Sequence, residues 1–248
     1  MIADEFTNDA ITESFRLIQR RRGHRYSVDD LATAWEAVHA APDAKTFLDM
    51  GCGVGSVLLM VAWKLPSARG FGIEAQDMSI ELARRNVREN GLDDRVRLFH
   101  GDLREVARDW SHGDCDLVTG TPPYLPLGTA VPSPDPQRAA CRIELRGGIE
   151  DYIAAAARVL SADGVFVACA DGRHPERVVG GAASAGLVPV RRVDIIPRVG
   201  RSPLFSVWTC ARKSRGPLDH TEVIMRDEQG IRTEASQAMR RTFGLDRA

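Results

Sequence analysis

Four places in this chain combine residue types and spacing that could do chemistry. The first is the run Asp49-Met50-Gly51-Cys52-Gly53-Val54-Gly55. Glycines so placed permit positive φ and let a ligand come close to the backbone. Their spacing is G-x-G-x-G, whereas the G-x-G-x-x-G fingerprint of dinucleotide enzymes needs glycine at position 56, where Ser56 stands. That moves the expectation from NAD toward S-adenosylmethionine (SAM), which has no pyrophosphate to seat but carries an amino-acid moiety that a strand-loop backbone can hold. Glu74, 19 residues after Gly55, either accepts the ribose hydroxyls or is a surface turn residue. Asp102, in His100-Gly101-Asp102-Leu103, either accepts an adenine amino group or caps the next helix. The fourth place is Thr121-Pro122-Pro123-Tyr124. Both prolines fix φ, and the residues before them are pushed toward extended conformations, so Tyr124 is fixed where a strand ends. Alone, this turn is as readily a stiff loop. The glycine run upstream favours a wall for a target.

Positioning these residues requires alternating strands and helices, and the hydrophobic pattern predicts them. Strands are expected at 46–50, 70–74, 95–100, 114–120 and 164–170, with helices at 54–65, 78–90, 149–160 and 175–185. Such alternation means a doubly wound α/β sheet, mostly parallel, with helices on both faces. Strands at 187–196 and 204–211, joined around Pro197-Arg198-Val199-Gly200 without a helix, predict an antiparallel C-terminal hairpin. After the proline turn lies a loop, 125–147, with four further prolines, long enough to suggest a functional role.

The N-terminal pattern predicts a short helix over 1–22 ending at Arg20-Arg21-Arg22, then a second helix through Leu31, Ala34, Trp35 and Val38. Ser27 is its expected N-cap. Asp29 and Asp30 sit in its first turn, as capping charges or as ligands. Residues 213–248 are polar, with one further strand expected at 222–225 and a terminal helix. The division expected is therefore an N-terminal helical segment at 1–44, a cofactor-binding domain at 45–212 and an extension at 213–248.

Bulk properties narrow the field. The 248 residues are 44% hydrophobic with a net charge of −1, so any nucleic-acid contact must come from a local basic patch. Candidates are Arg20, Arg21, Arg22 and Arg25, Arg198 and Arg201, and Arg240 and Arg241; each run could equally be a solvated face. Trp35, Trp63 and Trp208 fall in apolar patterns expected in the core. Five widely spaced cysteines without a C-x-x-C pair predict neither a metal site nor a disulfide framework, and fit a cytoplasmic setting. The acidic start of the chain is not expected to be a signal peptide, and no apolar run approaches the roughly 18 residues of a membrane span.

Together these residues resemble class I SAM-dependent methyltransferases, and further segments resemble the bacterial tRNA(Val) adenine-N6 methyltransferase family. Gly23-His24-Arg25-Tyr26-Ser27-Val28-Asp29 is similar to its G-x-R-[FY]-x-x-D segment, Arg138–Glu144 to the stretch after its Pro-Pro-Tyr loop, and Gly230–Glu234 to its C-terminal segment. The resemblance spans about residues 15–238. It implies that Asp49, Gly51, Gly53, Gly55, Glu74 and Asp102 bind SAM, with Arg25, Asp29 and Thr121 shaping the cofactor pocket. It also implies that Thr121, Pro122 and Tyr124 are catalytic, with the Pro122 carbonyl accepting from the target amine and Tyr124 stacking on a flipped-out base. Pro123, Tyr124 and Arg198 would contact substrate, and tRNA would be the partner. Threonine departs from the family's Asn or Asp at position 121. Three accounts stay open: an N6 methyltransferase that tolerates Thr, a relative with another nucleophile such as a hydroxyl or a small-molecule amine, and a weakened enzyme. The same-class alternative is a methyltransferase acting on a small molecule or a protein glutamine. A non-catalytic SAM- or RNA-binding module is the rival from another class.

Overall fold

The computed structural model describes residues 5–245. The elements that hold the site are strands β3 (Thr46–Met50), β4 (Arg69–Glu74), β5 (Val96–His100), β6 (Cys115–Gly120) and β7 (Leu160–Ala170). They follow an N-terminal pair, β1 (Phe6–Ala10) and β2 (Arg16–Arg20), and precede β8 (Val188–Ile196), β9 (Phe205–Ala211) and β10 (Asp219–Ile224). The helices are α1 (Val28–Ala40), α2 (Ser56–Lys64), α3 (Asp77–Glu89), α4 (Leu103–Arg108), α5 (Pro136–Arg142), α6 (Ile149–Val159), α7 (Pro175–Ser184) and α8 (Glu234–Arg241).

Eight strands form one sheet in the order β10-β8-β9-β7-β6-β3-β4-β5. From β7 through β5 every pairing is parallel. The central strands β3, β4, β6 and β7 bury side chains on both faces because helices cover both. On β3, Leu48 and Met50 join the apolar layer with α6, while Phe47 joins the layer with α1 and α2. The order reverses between β3 and β6. A doubly wound sheet opens its ligand crevice at such a point, beyond the carboxyl ends of the strands. The glycine run follows β3 and the proline turn follows β6, so both lie on that crevice. The expected α/β fold is the one observed.

Residues 5–22 are not a helix, and residues 1–4 of that expectation lie outside the described residues. β1 and β2 form an antiparallel hairpin outside the main sheet. Its stability comes from afar: Asn86 of α3 accepts a hydrogen bond from Ile18 N and donates to Ile18 O and Val54 O, at 2.8, 2.9 and 2.8 Å. Asn90 bonds Arg16 N and O in the same way, each at 2.8 Å. Two side-chain amides thus stand in for a neighbouring strand, and local propensity yields to them.

The C-terminal hairpin is present, with β9 inserted between β7 and β8 and antiparallel to both. The strand expected at 222–225 is β10, which pairs parallel to β8 at the sheet edge. The 125–147 segment is not wholly a loop. Pro136, with φ already preset, occupies the first turn of α5, and Asp135 caps it by accepting from Arg138 N at 3.0 Å. Asp135 also pairs with Arg20 of β2 at 2.8 Å, tying this segment to the N-terminal hairpin.

Candidate functional site

A cleft of about 110 Å³ lies over the carboxyl ends of β3, β4 and β6. Its floor is the turn from β3 into α2, where Gly51, Gly53 and Gly55 all have positive φ. Two reasons fix glycine there. A Cβ on Gly51 would stand 2.2 Å from the Tyr152 hydroxyl, whereas one on Gly53 would meet nothing within 4 Å. Gly51 is therefore set by backbone and packing together, and Gly53 by backbone and the need to leave the cleft open. Tyr152 also fills the space beside Gly120, where a Cβ would lie 2.7 Å from its ring. This buried tyrosine of α6 supports the glycine turn and the end of β6 at once.

Glu74, buried at the end of β4, holds the turn from the other side. Its carboxylate accepts from Gly53 N at 2.9 Å and from Gln76 N at 2.7 Å. Burial raises its pKa, and these backbone hydrogen bonds oppose the rise. Gly53 N–H thus orients the carboxylate into the cleft, and lone pairs remain for a further donor.

Asp49 and Asp30 are buried carboxylates of different aspect. Asp49 lies beneath the turn, accepting from Thr119 Oγ1 at 2.8 Å and from Leu58 N at 3.1 Å. It anchors the turn and does not line the cleft. Asp30 does line it. Its carboxylate accepts from Ser27 N at 2.9 Å, so it caps α1, and from Ser56 Oγ at 2.6 Å, which joins α1 to α2. Burial lifts both groups to about 7, with the Asp29 charge adding to the rise at Asp30. Asp29 itself stays at the cap, bonded to Ser27 Oγ and Asp30 N.

Thr121 and Pro123 line the same cleft as Glu74 and Gly53. Pro122 is buried and Tyr124 half-buried. The Tyr124 ring lies parallel to Phe205, centroids 6.4 Å apart, and its hydroxyl donates to Cys169 Sγ at 2.8 Å. Burial pushes that phenol well above its ordinary range. Tyr124 borders a small niche with Pro122, Pro123 and His174, next to the main cleft.

Other expected residues fall differently. Asp102 lines the cleft but also caps α4, accepting from Arg104 N at 2.9 Å and pairing with the Arg104 guanidinium. Arg25 points away, its guanidinium on Asp9 and Thr7 of the N-terminal hairpin. Arg198 lies at the β8–β9 turn, donating to Asp227 O, outside the cleft.

Comparison with known proteins follows this geometry. A family described as "Methyltransferase domain" matches residues 47–139. The chain is 30% identical over 203 residues to the tRNA1(Val) (adenine(37)-N6)-methyltransferase of Porphyromonas gingivalis, covering 78% of each protein. It is 29% identical over 161 residues to the human MTRF1L release factor glutamine methyltransferase, covering 61% of this chain and 47% of that one. The chain is a class I SAM-dependent methyltransferase. Among solved structures it is similar in fold to a predicted O-methyltransferase, protein Atu636 from Agrobacterium tumefaciens, at a TM-score of 0.65 and 19% identity, covering 87% of this chain and 96% of that one.

The methyltransferase cleft has walls that the motifs alone did not supply. Tyr152, His24, Gln137, Cys141 and Arg146 all border it. Gln137 and Cys141 arrive on α5, from the segment expected to be loop. Arg146 lies near enough for its charge to bear on both Glu74 and Asp102. The one signal available for Tyr152 was its place on an amphipathic helix, and a tyrosine there reads as core.

Proposed function

We propose that this methyltransferase moves the methyl group of SAM to the exocyclic N6 of an adenine in tRNA. The observation that carries the reading is the shared cleft. Thr121 and Pro123, at the head of the proline turn, face the same space as Gly53 and Glu74, so cofactor and target meet within one cleft. The name of the Porphyromonas gingivalis relative supports the substrate.

The residues present fit SAM. The turn at Gly51 and Gly53 is open enough for a ligand to approach its backbone, and Glu74 has lone pairs left for ribose hydroxyls. Asp102 can accept an adenine amine in competition with Arg104. Asp30, more than Asp29, offers a carboxylate within the cleft to a cationic group. When bound, SAM would supply an electrophilic methyl on its sulfonium sulfur, open to in-line attack by the nucleophile with S-adenosylhomocysteine as the leaving group. The protein's part is alignment, an effect worth several kcal/mol. An adenine amine is a poor nucleophile because its lone pair is delocalised into the ring. Thr121 Oγ1 and the Pro122 carbonyl are the acceptors for its two N–H groups, which favours a tetrahedral nitrogen and raises its electron density. Tyr124 bears on the face of the base.

A second reading is a protein glutamine, favoured by the likeness to the human release factor enzyme. Labelled SAM offered in parallel with unmodified tRNA, a Gln-containing release factor fragment and a small aromatic amine separates these. Label in the tRNA supports the proposal. Label confined to either other substrate overturns it.

A further inference from the structure

A second groove, of about 370 Å³, lies beside the cofactor cleft, and Tyr26 lines both. Its apolar lining is buried Leu31 of α1 and Ile195 of β8, half-buried Met225 and exposed Leu204. Its rim carries Arg226, Arg232 and Arg240, and among the described residues no carboxylate borders it. Some arginines of this chain meet acids, among them Arg20 with Asp135, Arg104 with Asp102, and Arg177 with Glu144 and Glu150; others, such as Arg95 and Arg212, bond backbone carbonyls instead. Among the described residues the three at this groove form no ion pair; Arg226 donates to Gly230 O and Arg240 to Leu245 O, both backbone carbonyls. A groove with cations at the rim and an apolar lining is complementary to an amphipathic anion.

We propose that this groove is a subsite for the nucleotide next to the target base, its phosphate held by Arg226, Arg232 and Arg240 and its ring laid on Met225 and Leu204. The inference rests on the RNA reading above and extends it to recognition of the strand. Guanidinium groups match phosphate oxygens through paired N–H donors, and an apolar surface accepts the face of any base. The sequence preference conferred is therefore weak, and the effect is mainly on affinity. Tyr26 separates the subsite from the cofactor cleft, so the strand would turn at that ring as the target base leaves its stack. The C-terminal segment, with Arg226 after β10 and Arg240 on α8, thereby gains a role beyond closing the sheet.

The test is fluorescence anisotropy of labelled unmodified tRNA on full-length protein saturated with S-adenosylhomocysteine, over a range of salt. The variants are Arg232→Gln alone and Arg226→Gln with Arg232→Gln. The double variant is expected to lose at least about tenfold in RNA affinity. Its salt slope should be shallower by about 0.7, the loss of one neutralised phosphate on a single strand. Affinity for S-adenosylhomocysteine and the melting temperature should hold, which shows that the fold is intact. Wild-type binding to tRNA with an unchanged slope in both variants overturns the subsite and leaves the RNA reading standing. No tRNA binding by the wild type, with methyl transfer to the release factor fragment instead, overturns both and assigns the groove to a polypeptide.

Discussion

The hydroxyl of Tyr152 occupies the space a side chain on residue 51 would need, and this decides how substitutions in the glycine turn should differ. Gly51→Ala adds a Cβ 2.2 Å from that hydroxyl at a φ of +62. Strain and overpacking together should cost roughly 2–5 kcal/mol of stability. Gly53→Ala meets no neighbour, so only the left-handed backbone is strained, at about 1–2 kcal/mol. Thermal denaturation and calorimetry with S-adenosylhomocysteine check this: the first variant should lose stability and the second mainly affinity. At the head of the proline turn, Thr121→Asn extends the acceptor by about one bond and supplies a carbonyl oxygen. It should raise kcat on an adenine-containing RNA, while Thr121→Val, which keeps the shape and removes the acceptor, should lower kcat at least about tenfold with little change in S-adenosylhomocysteine affinity. Equal activity in all three forms would remove Thr121 from the chemistry.

At the scale of elements, the N-terminal hairpin depends on α3. Asn86→Ala would strip three buried hydrogen bonds, two to the Ile18 backbone and one to Val54 O. The expected cost is about 2–4 kcal/mol, with faster amide exchange across β1 and β2 than in the main sheet. Uniform exchange throughout would contradict the hairpin's dependence on that one side chain. Arg177 is a comparable tie, joining Glu144 at the end of the 125–147 segment to Glu150 of α6, at 2.6 and 2.7 Å. Arg177→Ala should speed proteolysis within that segment.

These ties mark the limit of what the chain discloses. The strands of the parallel sheet were legible because their apolar runs and glycine punctuation are local. So were Gly51, Gly53, Glu74 and Asp102, each at a strand end in a countable register. The hairpin at β1 and β2 was not, because what decides it is a pair of asparagines some 70 residues away. Asp30 was legible as a cap or a ligand but its place in the cleft was not, since its second partner, Ser56, is brought by tertiary packing. Tyr152 looked like core, and α5 was hidden in a proline-rich stretch.

Over the whole molecule, the buried acids give stability a pH dependence of definite sign. Folding raises Asp30 and Asp49 from 3.8 to about 7, so the folded chain holds more protons than the unfolded one between those values. Their contribution is full below about pH 4, declines through that window and is lost above about 7. Asp9, Asp102, Asp135, Asp171 and Asp194 are lowered and act oppositely, their stabilisation lost as pH falls below about 4. The comparison that isolates one group is Asp49→Asn against wild type. The variant should gain on the wild type by a few kcal/mol as pH rises from about 4 to 8, measured by denaturant unfolding without cofactor. A constant difference would show that Asp49 is charged throughout.

On the proposed function, the proline turn presents an adenine amine to the methyl group of SAM in the cleft beside Glu74. Unmodified tRNA incubated with the protein and SAM, digested to nucleosides and resolved by mass spectrometry, tests that most directly. N6-methyladenosine is predicted, present with the wild type and enriched with Thr121→Asn. Methylation at another atom, or none in tRNA while a glutamine-containing fragment is methylated, would contradict it.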